Sequence, residues 1–178
     1  ILNRRLYAAP YFEMNDPMEG HYRYYSGMLS EDFIKTIKGE KDKLRICSLS
    51  RTPSDILMWS HYADGHRGVA IGLDIAPGYD VRSVNYDGPL NMNAPVLLRN
   101  SNNEIAKHIL SHKLEAWRYE EEERVFISSG AKFVDVEVKQ IIIGQKMSNQ
   151  DKGFISKLTS TIAPNIQVIV STSDATRE

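Results

Sequence analysis

Three short stretches hold the residues whose types and spacing could do chemistry. Asn15-Asp16-Pro17-Met18-Glu19 offers an amide and two carboxylates. A proline after aspartate forces the preceding residue into extended backbone, and asparagine bonds its own main chain, so a plain turn is one reading. A loop presenting those groups to a ligand is the other. Met58 to Gly68 sets Trp59, His61, Tyr62, Asp64 and His66 close together. Trp59 and Tyr62 are three apart and so share a helix face. They could stack on a planar ligand, with His61 or His66 as polar partner; a core tryptophan and histidines that favour a helix C-terminus are the structural alternative. The third stretch, Trp117 to Phe126, runs acidic residues straight into a strand. A period of two puts Glu120, Glu122 and Arg124 on one side and Glu121 and Glu123 on the other. Two carboxylates beside a guanidinium can have their pKa values driven apart, as acid–base pairs need. An edge-strand charge ladder that blocks aggregation explains the same pattern without chemistry.

Other motifs are weak or missing. His108 and His112 are four apart, but no third ligand follows at metal-site spacing, so no metal is expected. No Walker loop, dinucleotide glycine fingerprint, Gly-x-Ser-x-Gly or paired Cys-x-x-Cys is present. Cys47 is the one cysteine, which rules out an internal disulfide framework, and its apolar neighbours point to a buried thiol.

The elements that position these stretches follow from periodicity and caps. Strands are expected at residues 5–9, 44–50, 68–74, 81–86, 122–128, 133–143 and 166–170. The last is wholly apolar and reads as a central strand. Ser30 should cap a helix that stops at Gly39; Thr52-Pro53-Ser54-Asp55 should start one reaching about Ala63; Asn102 or Asn103 should cap one to about Glu115; Ser148 should cap the last. Residues 88–100 read as a loop, and the tail from Ser173 as polar and frayed. About six strands and four helices that do not strictly alternate indicate an α+β fold with a mixed, largely antiparallel sheet. No linker or repeat divides residues 1–178, which read as a single domain.

The 178 residues carry 22 Lys and Arg against 23 Asp and Glu, a net charge of -1. No broad positive field exists to gather nucleic acid or an anionic membrane. No apolar run reaches the ~20 residues needed to span a bilayer and no signal peptide is visible, so the cytoplasm is the expected compartment.

In combination, Asn15-Asp16-Pro17-x-Glu19, Ser48-x-Ser50, Met58-Trp59-x-x-Tyr62-Ala63-x-x-His66-x-Gly68 and Trp117-x-x-Glu120-x-Glu122-x-Arg124 resemble a widespread bacterial family of unknown function found partly in phage-defence neighbourhoods. The resemblance runs from about Leu6 to Phe126 and implies that these clusters meet in one site, with Asn15, Asp16, Glu19, Ser50, Trp59, His61, Tyr62 and Arg124 as ligand-binding residues. A more distant resemblance is to ADP-ribosyltransferase-like folds, through the Glu120-x-Glu122 pair at a strand start. It implies NAD as substrate in a toxin or defence effector, with Glu122 stabilising an oxocarbenium-like transition state, Glu120 as acid/base, and Trp59, Tyr62 and His66 orienting the nicotinamide nucleotide. The early histidine or arginine of that pattern has no counterpart after Ile1. Two other readings stay open: a non-catalytic module sensing a nucleotide or peptide, and a metal-dependent hydrolase or nuclease using His61, Asp64, His66, Asp16 and Glu19.

Overall fold

The computed structural model describes residues 3–171. Its strands are β1 (Arg5–Tyr7), β2 (Ala9–Pro10), β3 (Tyr22–Arg23), β4 (Leu44–Ser50), β5 (Val69–Ile75), β6 (Asp80–Ser83), β7 (Leu90–Asn91), β8 (Glu122–Ser128), β9 (Phe133–Ile143) and β10 (Gln167–Val170). The α-helices are α1 (Glu31–Asp42), α2 (Ile56–Tyr62), α3 (Ala94–Arg99), α4 (Asn102–Ile109) and α5 (Asn149–Ile162). The fold is α+β and its sheets are mostly antiparallel, with more and shorter strands than the sequence pattern indicates.

The described residues form two compact units. One comprises residues 7–51 and 78–134. Its main sheet has the order β2-β4-β8-β6, all antiparallel, with Ser50 opposite Glu122 and Ser48 opposite Arg124 in the register. Leu44, Ile46 and Phe126 alternate inward from these strands and pack against Ala106 and Leu110 of the α4 end. Ile37 of α1 packs with Ile105, Ile109 and Met92 in a second cluster. The other unit comprises residues 3–6, 52–77 and 135–171. There β9 pairs β5 antiparallel on one side and β10 in parallel on the other. Trp59 and Ala63 of the α2 segment pack on Ile142 of that sheet.

Several local expectations are corrected by tertiary contacts. The helix α1 does not stop at Gly39 but runs on to Asp42. A glycine inside a helix costs about 0.5–1 kcal/mol. The extra turn buries Lys41, whose ammonium donates to the Gly20 carbonyl at 2.8 Å and lies over the Tyr11 ring. The cap of α2 is Asp55, accepting from the Met58 N–H at 2.9 Å, rather than Thr52. The Pro53 carbonyl is taken instead by the Trp59 indole N–H at 2.8 Å. Within 88–100, read as loop, Asn93 caps α3 with proline in its first turn. Ser101, not Asn102, caps α4, which ends at Ile109 instead of Glu115. β10 is not central: among the described residues it pairs only with β9, and Ile169 and Val170 are 37% and 47% exposed. The tail from Ser173 lies outside the described residues. No helix among the described residues is long and apolar enough to cross a membrane.

Candidate functional site

In the first unit, the acidic stretch is built inward. After Leu114 the chain makes a 3-10 turn over Glu115–Glu120, and Glu121 takes a left-handed conformation (φ 43°) that redirects the backbone into β8. The turn buries Glu120, and the strand period then buries Glu122 and Arg124 on one face, as the alternation requires. Arg124 is 1% exposed. Its Nε and Nη2 donate to the two oxygens of Glu122 at 2.8 and 3.1 Å. Nη1 and Nη2 donate to the two oxygens of Glu19 at 2.6 and 2.8 Å. Nη1 also donates to the Leu110 carbonyl. Those five bonds use the full donor set of a guanidinium. Lys113, 4% exposed, lies 2.5 Å from Glu120 and 3.1 Å from Glu122, with its ammonium over the Trp117 ring. The Glu122 N–H donates to the Tyr86 hydroxyl at 2.7 Å.

The sequence reading missed Lys113, Tyr86 and the Leu110 carbonyl. Three inward carboxylates with one arginine leave an excess of buried negative charge, which calls for a second cation. A lysine flanked by Leu110 and Leu114, seven residues before Glu120, was the available signal. The early end of α4 supplies the rest, since a terminal helix carbonyl has no intrahelical partner and is free to accept from Arg124.

The two carboxylates on Arg124 differ. Burial raises Glu19 above the ordinary value of 4.5, and the hydrogen bonds and charge of Arg124 do not fully offset it. Burial also opposes ionisation of Glu122, but the charge and hydrogen bonds of Arg124, with Lys113, outweigh it and hold Glu122 low. Burial works against the Lys113 ammonium, yet Glu122 and Glu120 outweigh it and raise its pKa. The signs for stability follow. Glu122 contributes stability above 4.5 that is lost as pH falls through its lowered value. Glu19 does the reverse: the fold weakens as pH climbs from 4.5 through its raised value. Urea denaturation should therefore show Glu122→Gln losing ground to the wild type as pH rises from about 3 to about 5, and Glu19→Gln gaining on it as pH rises from about 4.5 to about 7. Parallel pH curves for both variants would contradict this assignment.

Of the other residues singled out in this unit, Asn15 is exposed in a bend and Ser50 is exposed at the end of β4. Asp16 is buried; one oxygen accepts the Met18 N–H at 2.9 Å, and the other has no hydrogen-bond partner among the described residues. Cys47 is a buried free thiol pushed up to about 11 by burial.

The aromatic–histidine stretch belongs to the second unit. Trp59 is 5% exposed and its ring is stacked with that of His66, centroids 6.1 Å apart and planes 12° from parallel. His61 and Tyr62 lie on the exposed side of α2, edge to face with one another. Past the helix, Asp64, Gly65 and His66 take three successive left-handed conformations (φ 47°, 57° and 71°). Each non-glycine residue so placed costs about 1–2 kcal/mol. The backbone holds it: His66 N–H donates to the Trp59 carbonyl at 3.2 Å, Lys146 N–H to the His66 carbonyl at 3.0 Å, and Gly144 N–H to the Gly68 carbonyl at 2.9 Å. Beside the stack is an open pocket of about 160 Å³, lined by Pro53, Ser54 and Ile56 ahead of and within α2, by Trp59 and His66, and by Ile142, Gln145 and Ile169 to Ser171 from the sheet side. No Lys, Arg, Asp or Glu is among the described residues that line it.

Asn15, Asp16, Glu19, Ser50, Glu120, Glu122 and Arg124 thus fall in one unit, and Trp59, His61, Tyr62 and His66 in the other. Glu19, Glu120, Glu122 and Arg124 are brought together in one network, Trp59 and His66 in one stack. Among the described residues no group of three or more His, Cys, Asp or Glu is arranged to hold a metal ion. Comparison of the chain with protein-family models, curated proteins and solved structures finds no match.

Proposed function

We propose that the chain is a non-catalytic binding module that holds an uncharged group of its ligand in the pocket beside the Trp59–His66 stack. What carries the reading is where the acids went. Both oxygens of Glu122 are engaged by Arg124 and Lys113 inside the fold, so none is turned to a substrate, whereas the imidazole and indole border open space. The strained Asp64–His66 backbone supports it, because strain of this kind collects at ligand-holding sites. The lining favours a neutral group, since no lysine or arginine stands ready for a phosphate. Capped single amino acids such as N-acetyl-leucinamide, and adenosine as the nucleoside probe, should perturb the Trp59 indole N–H resonance in a titration. Ile56→Asp, which puts a charge on an exposed lining residue, should abolish the effect. No perturbation by any uncharged probe would sink the reading.

A second reading, an NAD-using ADP-ribosyltransferase, draws on one observation: of two carboxyls that share the Arg124 guanidinium, burial leaves Glu19 raised while Arg124 and Lys113 hold Glu122 lowered, the separation acid–base pairs use. It requires nicotinamide release from NAD that Glu122→Gln stops.

A further inference from the structure

Among the described residues β10 is an edge strand, with the character of a paired one. From Asn165 to Ser173 the chain has no charged residue, and Ile169 and Val170 are exposed. Edge strands are ordinarily protected by lysine, proline, bulges or inward charges. Here none of these interrupts Gln167–Val170, which pairs among the described residues with β9 alone.

Register fixes which groups are left over. The Ser171 N–H donates to the Ile143 carbonyl of β9 at 2.8 Å. Peptide groups in a parallel strand alternate sides, so Ile169 also points to β9, and Val168 and Val170 turn their N–H and C=O outward. Ile169 lies opposite Ile142, the residue on which Trp59 packs, so its side chain is on the α2 face of the sheet. That is the face where the pocket opens, and Ile169, Val170 and Ser171 form its sheet-side wall. A strand laid along the outer edge would sit about 4.8 Å from β10 and send alternate side chains up to the same face. The edge and the pocket are therefore one continuous surface, with main-chain groups along it and a side-chain receptor at its end.

We infer that the ligand of this pocket is an extended peptide that adds as a strand to the outer edge of β10 and places one uncharged aliphatic or aromatic side chain beside the Trp59–His66 stack, an inference that rests on the binding reading above. Main-chain hydrogen bonds would give affinity and the pocket would give selectivity, the division usual in strand addition. The absence of charge from both strand and lining selects a neutral peptide segment.

The experiment uses end-capped hexapeptides from a randomised library, selected against the whole chain, and repeated with peptides N-methylated at alternate amides. Selected peptides should share one aliphatic or aromatic position, and N-methylation should weaken them at least about tenfold. Val168→Pro removes an outward donor without touching a bond to β9 and lies outside the pocket lining, and should weaken the same peptides by about tenfold while leaving N-acetyl-leucinamide binding unchanged. Ser171→Pro, which removes a bond to β9, is the control for general damage to the sheet. If N-acetyl-leucinamide binds but no hexapeptide binds more tightly, or if N-methylation and Val168→Pro change nothing, the strand-addition inference is overturned and the pocket reading stands. If neither binds, both fall. A dimer that Val168→Pro dissociates would assign the edge to a second copy of this chain and overturn the peptide proposal.

Discussion

Replacing Arg124 with alanine is expected to cost about 3–5 kcal/mol, enough to unfold a marginal unit of this size. The side chain is buried among the carboxylates of Glu19 and Glu122, and its removal leaves both without their shared cation while Lys113 reaches only Glu122 and Glu120. The loss is of compensation for charge already buried. It does not measure the net strength of the ion pairs, because desolvation consumes most of what they gain. A second variant separates the two. Arg124→Met combined with Glu19→Gln and Glu122→Gln removes the charges together and should recover most of the lost stability in urea denaturation, with Lys113 and Glu120 still paired. Equal destabilisation of the single and triple variants would mean that shape, not charge balance, holds Arg124 in place. The triple variant also bears on function: a binding module should keep its pocket titration unchanged, since none of the three residues lines the pocket.

Gly144→Ala should be the most damaging single-methyl change in the other unit. A Cβ on Gly144 would stand 2.2 Å from the His66 carbonyl oxygen, 2.7 Å from its carbon and 2.9 Å from the Gly68 oxygen. All three are backbone atoms, so no side-chain rotation relieves the clash. The Asp64–His66 turn would have to move away from the start of the Gly144 loop, breaking the Lys146-to-His66 and Gly144-to-Gly68 hydrogen bonds. Overpacking of this kind costs about 1–3 kcal/mol when flexible side chains absorb it, and a rigid backbone neighbour puts the expected loss at or above the upper end. Displacing His66 should also undo its stacking on Trp59, so pocket titrations with N-acetyl-leucinamide should fail even at temperatures where the variant stays folded. Gly153→Ala, whose Cβ would meet nothing within 4 Å, is the matched control and should be neutral or mildly stabilising. A folded Gly144→Ala variant that binds normally would show the turn to be irrelevant to the pocket.

Much of this was already written in local sequence. The period of two in Glu122–Ser128 and the long apolar alternation of Phe133–Ile143 set β8 and β9 at their observed bounds, and Ser30 and Ser148 cap helices as their hydroxyls dictate. The same period put Glu122 and Arg124 on one buried face. These features depend on steric and hydrogen-bonding preferences that act over a few residues, so neighbours in the chain suffice to fix them. Tertiary structure decided what depends on residues distant in sequence. It brought Glu19 to Arg124 across 105 positions, turned Lys113 onto Glu120 and Glu122, carried α1 past Gly39 to bury Lys41, and left apolar β10 at the edge of its sheet. Charge balance and sheet order are properties of whole units: a buried carboxylate demands a cation but does not say from where, and an apolar strand demands cover but does not say by what.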